Sequence, residues 1–181
     1  MQMNSKSKIV RFNPAALPLE YMPKIADVTD SQHEKHYLIP GKIFVSADQV
    51  AVSTIVGTGV SVCLWDEVRR IGGINHFLLP TNSEGYLENT KYADAANHTL
   101  LQELIQLGAD PRSMEARVFG GSQPAVTFSS STECLGDRNV QLALDFLRRR
   151  NIRLVEKEVC GTHGRKLIFQ TDDGRTWSQQ L

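Results

Sequence analysis

Residues 56–66 read VGTGVSVCLWD, and INHFLLP follows at 74–80. A thiol or hydroxyl near a histidine is the minimal apparatus for nucleophilic attack on a carbonyl. The candidate thiols are Cys63, Cys134 and Cys160. Cys63 falls inside a strand-like run, where roughly 3.3 Å per residue puts it about 13 Å beyond Gly59. It reads as a small buried hydrophobe. Thr58 sits in the Gly57-Thr58-Gly59 turn, but a neutral hydroxyl needs a base in contact before it attacks anything. His76, in an apolar run, reads by itself as a satisfied core residue. His33-x-x-His36 and Cys160-x-x-His163 would make a tetrahedral zinc site if they met. They are far apart in the chain, so neither a metal nor a cofactor is expected. Gly72-Gly73 and Gly120-Gly121 fit no phosphate-binding fingerprint and read as tight turns.

The elements that must position these groups follow from periodicity. Residues 1–39 are expected to be an irregular extension, because Pro14, Pro18 and Pro23 interrupt it and Pro40 closes it. Its DSQHEKHY stretch suggests a short turn or helix. From 40 to 181 a single domain is expected. GKIFVSA, QVAVSTIV, VSVCLWD and GGINHFLLP are four strand-like runs, and their short connections suggest antiparallel pairing. A helix follows, with Thr90 as its cap, Asp94 in the first turn and Ala93, Ala96, Leu100, Leu104 and Leu107 on one face. Gly108 suits its left-handed end. ARVFGG is a strand. Asp137 caps a second helix with Val140, Ala143, Leu144 and Leu147 inward, and Arg148-Arg149-Arg150 complements its C-terminus. IRLVEKEV is a further strand, and KLIFQT and RTWSQ form a hairpin across Asp172-Asp173-Gly174. The whole is an α/β domain, a layered mixed β-sheet with two main helices packed on the sheets.

Composition narrows the partners. Twenty basic and twenty acidic side chains cancel, so no global field draws the protein to nucleic acid. No apolar stretch is long enough for membrane insertion, and the N-terminus has no apolar core of a secretion signal. Three sparse cysteines are not a disulfide framework. A reducing, cytoplasmic setting is expected.

Four blocks, GVSVCLWDEVRRIGGINHFLLP, KYADAANHTLLQELIQLGAD, ARVFGG and LGDRNVQLALDFLRRRNIRLVEKEVCGTHGRKLIF, occur in the order and spacing of a known family. The chain from about Pro40 onward resembles the chemoreceptor glutamine deamidases, CheD. The resemblance implies a layered α/β chemotaxis protein that converts receptor glutamine side chains to glutamate. It implies two partners, the cytoplasmic helices of chemoreceptors and, as in some members, a CheC-type phosphatase. The family's chemistry rests on a cysteine, a histidine and a threonine. His76 matches the histidine. The threonine position is Ser53, with Thr54 beside it. The cysteine position, seventeen residues before His76, is Gly59.

That departure carries chemical weight. A thiol is intrinsically nucleophilic, and an adjacent histidine brings it to thiolate, protonates the leaving ammonia and activates water against the thioester. Backbone N–H groups of the glycine turn would hold the oxyanion. Glycine removes the attacking atom, so the expectation is an impaired or inactive deamidase. The alternative is a non-catalytic module that docks on receptors or on the phosphatase.

Overall fold

The computed structural model describes residues 34–81, 89–123 and 134–181. Within Glu34–Leu181, which folds as one unit, the described residues form two sheets and two helices. The first sheet has the order β1 (Glu34–Tyr37), β3 (Val50–Val56), β8 (Arg165–Gln170) and β9 (Thr176–Gln180). The second has the order β2 (Ile43–Ser46), β5 (Ile71–Asn75), β4 (Val60–Asp66), β6 (Met114–Gly120) and β7 (Arg153–Val159). Most of the expected extension lies outside the described residues. Its last part differs from expectation: β1 is a strand running parallel to β3, so the sheet begins before residue 40 and EKHY is neither turn nor helix.

Side-chain alternation sorts the strands into layers. On β3, Val50, Val52 and Val56 meet Cys63, Ile74 and Phe119 of the second sheet, with Leu167 and Phe169 of β8, in a core between the sheets. On the outer face of the second sheet, Val60, Val62, Leu64 and Val118 pack under the helices α1 (Ala93–Gln106) and α2 (Leu135–Arg149). The layers therefore run sheet, sheet, helices, as expected for the fold class.

The strand connections differ from simple hairpins. β4 and β5 do pair antiparallel. β3 and β4, separated only by Gly57-Thr58-Gly59, do not pair at all, because β3 pairs β8 in the other sheet. β6 and β7 are parallel, with α2 as the crossover that parallel neighbours require.

The helices start where backbone partners allow. Tyr92, rather than Thr90, caps α1, and the Thr90 hydroxyl donates instead to the Gly41 carbonyl at 2.6 Å. Gly108, at φ +104°, ends the helix in the left-handed conformation. Cys134 caps α2, and Asp137 sits in its first turn, where a carboxylate complements the dipole. Arg148 and Arg149 occupy the last turn. A buried amide relay ties α1 down: Asn97 Oδ1 accepts from Asn75 Nδ2, whose Oδ1 accepts the Val62 N–H, each at 2.9 Å.

Candidate active site

The candidate site lies where the chain leaves one sheet for the other. All three carbonyls of the Gly57-Thr58-Gly59 corner are tied. Gly57 O accepts from Ser122 N at 2.9 Å and Gly59 O from Gly121 N at 2.8 Å. Thr58 O accepts from Asn139 Nδ2 at 3.1 Å, and the same amide donates to Leu78 O at 2.9 Å. The close approach explains Gly120, the last residue of β6. A Cβ on Gly120 would stand 2.3 Å from Gly59 O, and Gly120 and Gly121 have φ of +112° and +69°. The N–H groups of Thr58 and Gly59 have no hydrogen-bond partner among the described residues. Two such donors on one turn are the kind of group that can hold a polarised carbonyl oxygen.

His76 follows directly on β5 and is 2% exposed. Its backbone is pinned on both sides, with His76 N donating to Lys42 O at 3.0 Å and Gly41 N donating to His76 O at 2.6 Å. Its Nδ1 lies 2.9 Å from Thr54 Oγ1 across the inter-sheet core. Burial pushes the imidazole down to about 4, so the ring is neutral at pH 7. Its other nitrogen faces the corner: a Cβ built on Gly59 would lie 3.1 Å from His76 Nε2. The same Cβ would lie 2.6 Å from Phe77 O and 3.2 Å from Leu78 Cδ2.

The hydroxyl on the imidazole therefore belongs to Thr54, not to Ser53. The reason is the pleat. Thr54 keeps step with Val50, Val52 and Val56, which face the second sheet. Ser53 points to the other face, where its Oγ reaches the His36 carbonyl at 3.4 Å. The alternation of VAVSTIV was the available signal. Asn139, Gly121 and Ser122 had no such signal, because they reach the corner only through tertiary packing.

The thiols are elsewhere. Cys63 is fully buried on β4 in the inter-sheet core, and burial drives its ionisation far above the ordinary thiol range. Cys160 packs with the helix-side core, so it lies across the second sheet from the face that carries His76. Its sulfur donates to Asp137 Oδ1 at 3.5 Å, and Cys134 Sγ donates to Asp137 Oδ2 at 2.9 Å. Of the histidines in the two pairs, His36 stacks on Phe44, His163 Nδ1 meets Thr162 and Gln180, and His33 lies outside the described residues. Among the described residues no group of three or more His, Cys, Asp or Glu is placed to hold a metal.

Comparison with known proteins agrees with the blocks in the sequence. The family model described as "CheD chemotactic sensory transduction" matches residues 78–180. A probable chemoreceptor glutamine deamidase CheD 1 of Anaeromyxobacter dehalogenans is 42% identical over 145 residues, covering 80% of this chain and 84% of that protein. One from Trichlorobacter lovleyi is 39% identical over 142 residues, covering 77% and 86%. One from Sulfurimonas denitrificans is 32% identical over 144 residues, covering 80% and 92%. Among solved structures, a Neisseria meningitidis protein of family-model DUF152 superimposes with a TM-score of 0.46 at 14% identity, covering 76% of this chain and 67% of that one. It is too remote to bear on the chemistry. No helix among the described residues is long and apolar enough to cross a membrane. With relatives matched over most of their length and a family model matched over more than half of the chain, the chain belongs to the CheD family of chemotaxis proteins.

Proposed function

We propose that this protein engages chemoreceptor glutamines with the binding parts of a deamidase site and turns them over poorly or not at all. One observation carries the reading: the position that faces His76 Nε2 is Gly59, which offers no attacking atom. Three others support it. Cys63 is sealed in the inter-sheet core. Cys134 and Cys160 are engaged at Asp137. Thr54 is a neutral hydroxyl that is 1% exposed and bonded to Nδ1. What is left of the apparatus is suited to holding an amide. The N–H groups of Thr58 and Gly59 would receive the glutamine side-chain oxygen, and the neutral imidazole would meet the amide nitrogen or a water. Such a water, activated by Nε2, would give hydrolysis orders of magnitude slower than attack by a thiol.

A docking role follows from the same arrangement. The partner is the helical surface of a receptor, as the names of the relatives suggest, with a CheC-type phosphatase as a second candidate. The test uses the full chain and a receptor signalling fragment. Binding is followed by calorimetry, and conversion of amide to acid by mass spectrometry. The expected result is binding without conversion by the native chain and measurable conversion by Gly59→Cys. Robust conversion by the native chain, abolished by His76→Ala, would overturn the reading in favour of a working deamidase.

A further inference from the structure

We propose that Cys134 and Cys160 form a reversible dithiol–disulfide pair that staples the start of α2 to the end of β7. The two sulfurs donate to the two oxygens of one carboxylate, Asp137, at 2.9 and 3.5 Å. Neither residue is fully buried. The backbones that carry them converge independently. Cys160 N donates to Gly120 O at 2.9 Å. Gly136, two residues after Cys134, lies so near the next residue of that strand end that a Cβ on it would stand 2.4 Å from Gly121 O. The thiols thus flank one glycine corner. Cys160 also adopts φ +63°, an unusual conformation for a residue with a side chain, held by Arg165 donating to its carbonyl at 3.1 Å.

The chemistry needs an oxidant, here a low-molecular-weight disulfide such as glutathione disulfide. One thiolate attacks it, forming a mixed disulfide and releasing one thiol. The second thiolate displaces the other thiol and closes the Cys134–Cys160 bond. Two protein S–H bonds and one external S–S bond are exchanged for one protein S–S bond and two external thiols. Burial and the Asp137 carboxylate hold the Cys160 thiol above its ordinary range, so closure accelerates as pH rises. The consequence reaches the site because the same first turns of α2 carry Asn139, which holds the carbonyls of Thr58 and Leu78.

The test equilibrates the full chain with mixtures of reduced and oxidised glutathione, blocks free thiols by alkylation, and maps the unreduced digest. Expected is loss of two of the three free thiols, with one cross-linked peptide pair carrying Cys134 and Cys160. Cys63 should stay unalkylated until the chain is unfolded. Cys134→Ser and Cys160→Ser should each give a mixed disulfide at the remaining cysteine and no cross-link. Amide exchange over the first turns of α2 should slow in the oxidised chain. Separate glutathionylation of both thiols in the native chain, zinc retained on them in the reduced chain, or unchanged exchange after cross-linking would overturn the proposal.

Discussion

Thr54 Oγ1 and His76 Nδ1 lie 2.9 Å apart although their side chains come from facing sheets. The pair makes His76 an inter-sheet strut as well as a candidate site residue, and its protonation is tied to stability. Burial lowers the imidazole from 6.5 to about 4. Between those values the unfolded chain binds a proton that the folded chain refuses, so stability is full above pH 6.5 and falls as pH drops toward 4. The loss is on the order of 3 kcal/mol. His36 is also lowered by burial, against a smaller opposing effect of Glu34, and acts with the same sign. The difference between the native chain and His76→Gln isolates the His76 share. Urea unfolding at pH 7.5, 5.5 and 4.5 should show a flatter pH profile for the variant. An unchanged slope would mean that the imidazole is not buried as described.

Introducing a side chain at Gly59 is not free of cost. The Cβ would stand 2.6 Å from the Phe77 carbonyl oxygen, which accepts the Val60 N–H at 3.0 Å in the bridge that joins the two segments. Gly59→Ala should therefore destabilise by about 1–3 kcal/mol, read from denaturant midpoints. Gly59→Cys should lose a similar amount, and its sulfur should enter the environment of His76 Nε2. Its alkylation rate against pH should differ between Gly59→Cys and Gly59→Cys combined with His76→Gln. Identical profiles would separate position 59 from the imidazole.

The sequence made the layers legible because apolar period and turn residues state them directly. The α1 face at Ala93, Ala96, Leu100 and Leu104, the Gly108 cap and the hairpin across Asp172-Asp173-Gly174 stand as expected, whereas Leu107 lies past the helix end and is exposed. What it hid was pairing. A three-residue link between β3 and β4 reads as a tight hairpin, yet its carbonyls are taken by Ser122, Gly121 and Asn139, more than sixty residues away in sequence, and the chain turns into the other sheet. The site shows the same division. His76 and Gly59, seventeen residues apart in the chain, face one another. The hydroxyl partner moved by one residue because a strand sends neighbours to opposite faces.

Asp66 is a buried charge with a structural role. Burial opposes its ionisation. The N–H of Asp110, the Ser113 hydroxyl and the N–H groups of Arg69 and Val68 outweigh that and hold the carboxyl below its ordinary range. These bonds, 2.7 to 3.1 Å long, join the β4–β5 turn to the start of β6. In Asp66→Asn the new NH2 group would face at least one of these donors. The expected cost is about 1–3 kcal/mol at pH 7, and it should shrink in acid as the native carboxyl protonates. Thermal unfolding of both chains at pH 7 and pH 3 checks this. A cost that does not change with pH would remove the charge from the explanation.

Asn139 is where α2 grips the corner, since one amide nitrogen serves the carbonyls of both Thr58 and Leu78. Asn139→Ala leaves both acceptors unpaired and should cost about 1–3 kcal/mol. Asn139→Asp does more harm at pH 7, because it sets a carboxylate against two carbonyl oxygens in a buried place. As pH falls the acid protonates, regains a donor, and its deficit should drop below that of Asn139→Ala. Urea midpoints for the two variants at pH 7 and pH 5 should therefore approach or cross. If Asn139→Asp instead matched the native chain at pH 7, the amide would not be donating to the corner, and Thr58 and Leu78 would need another anchor.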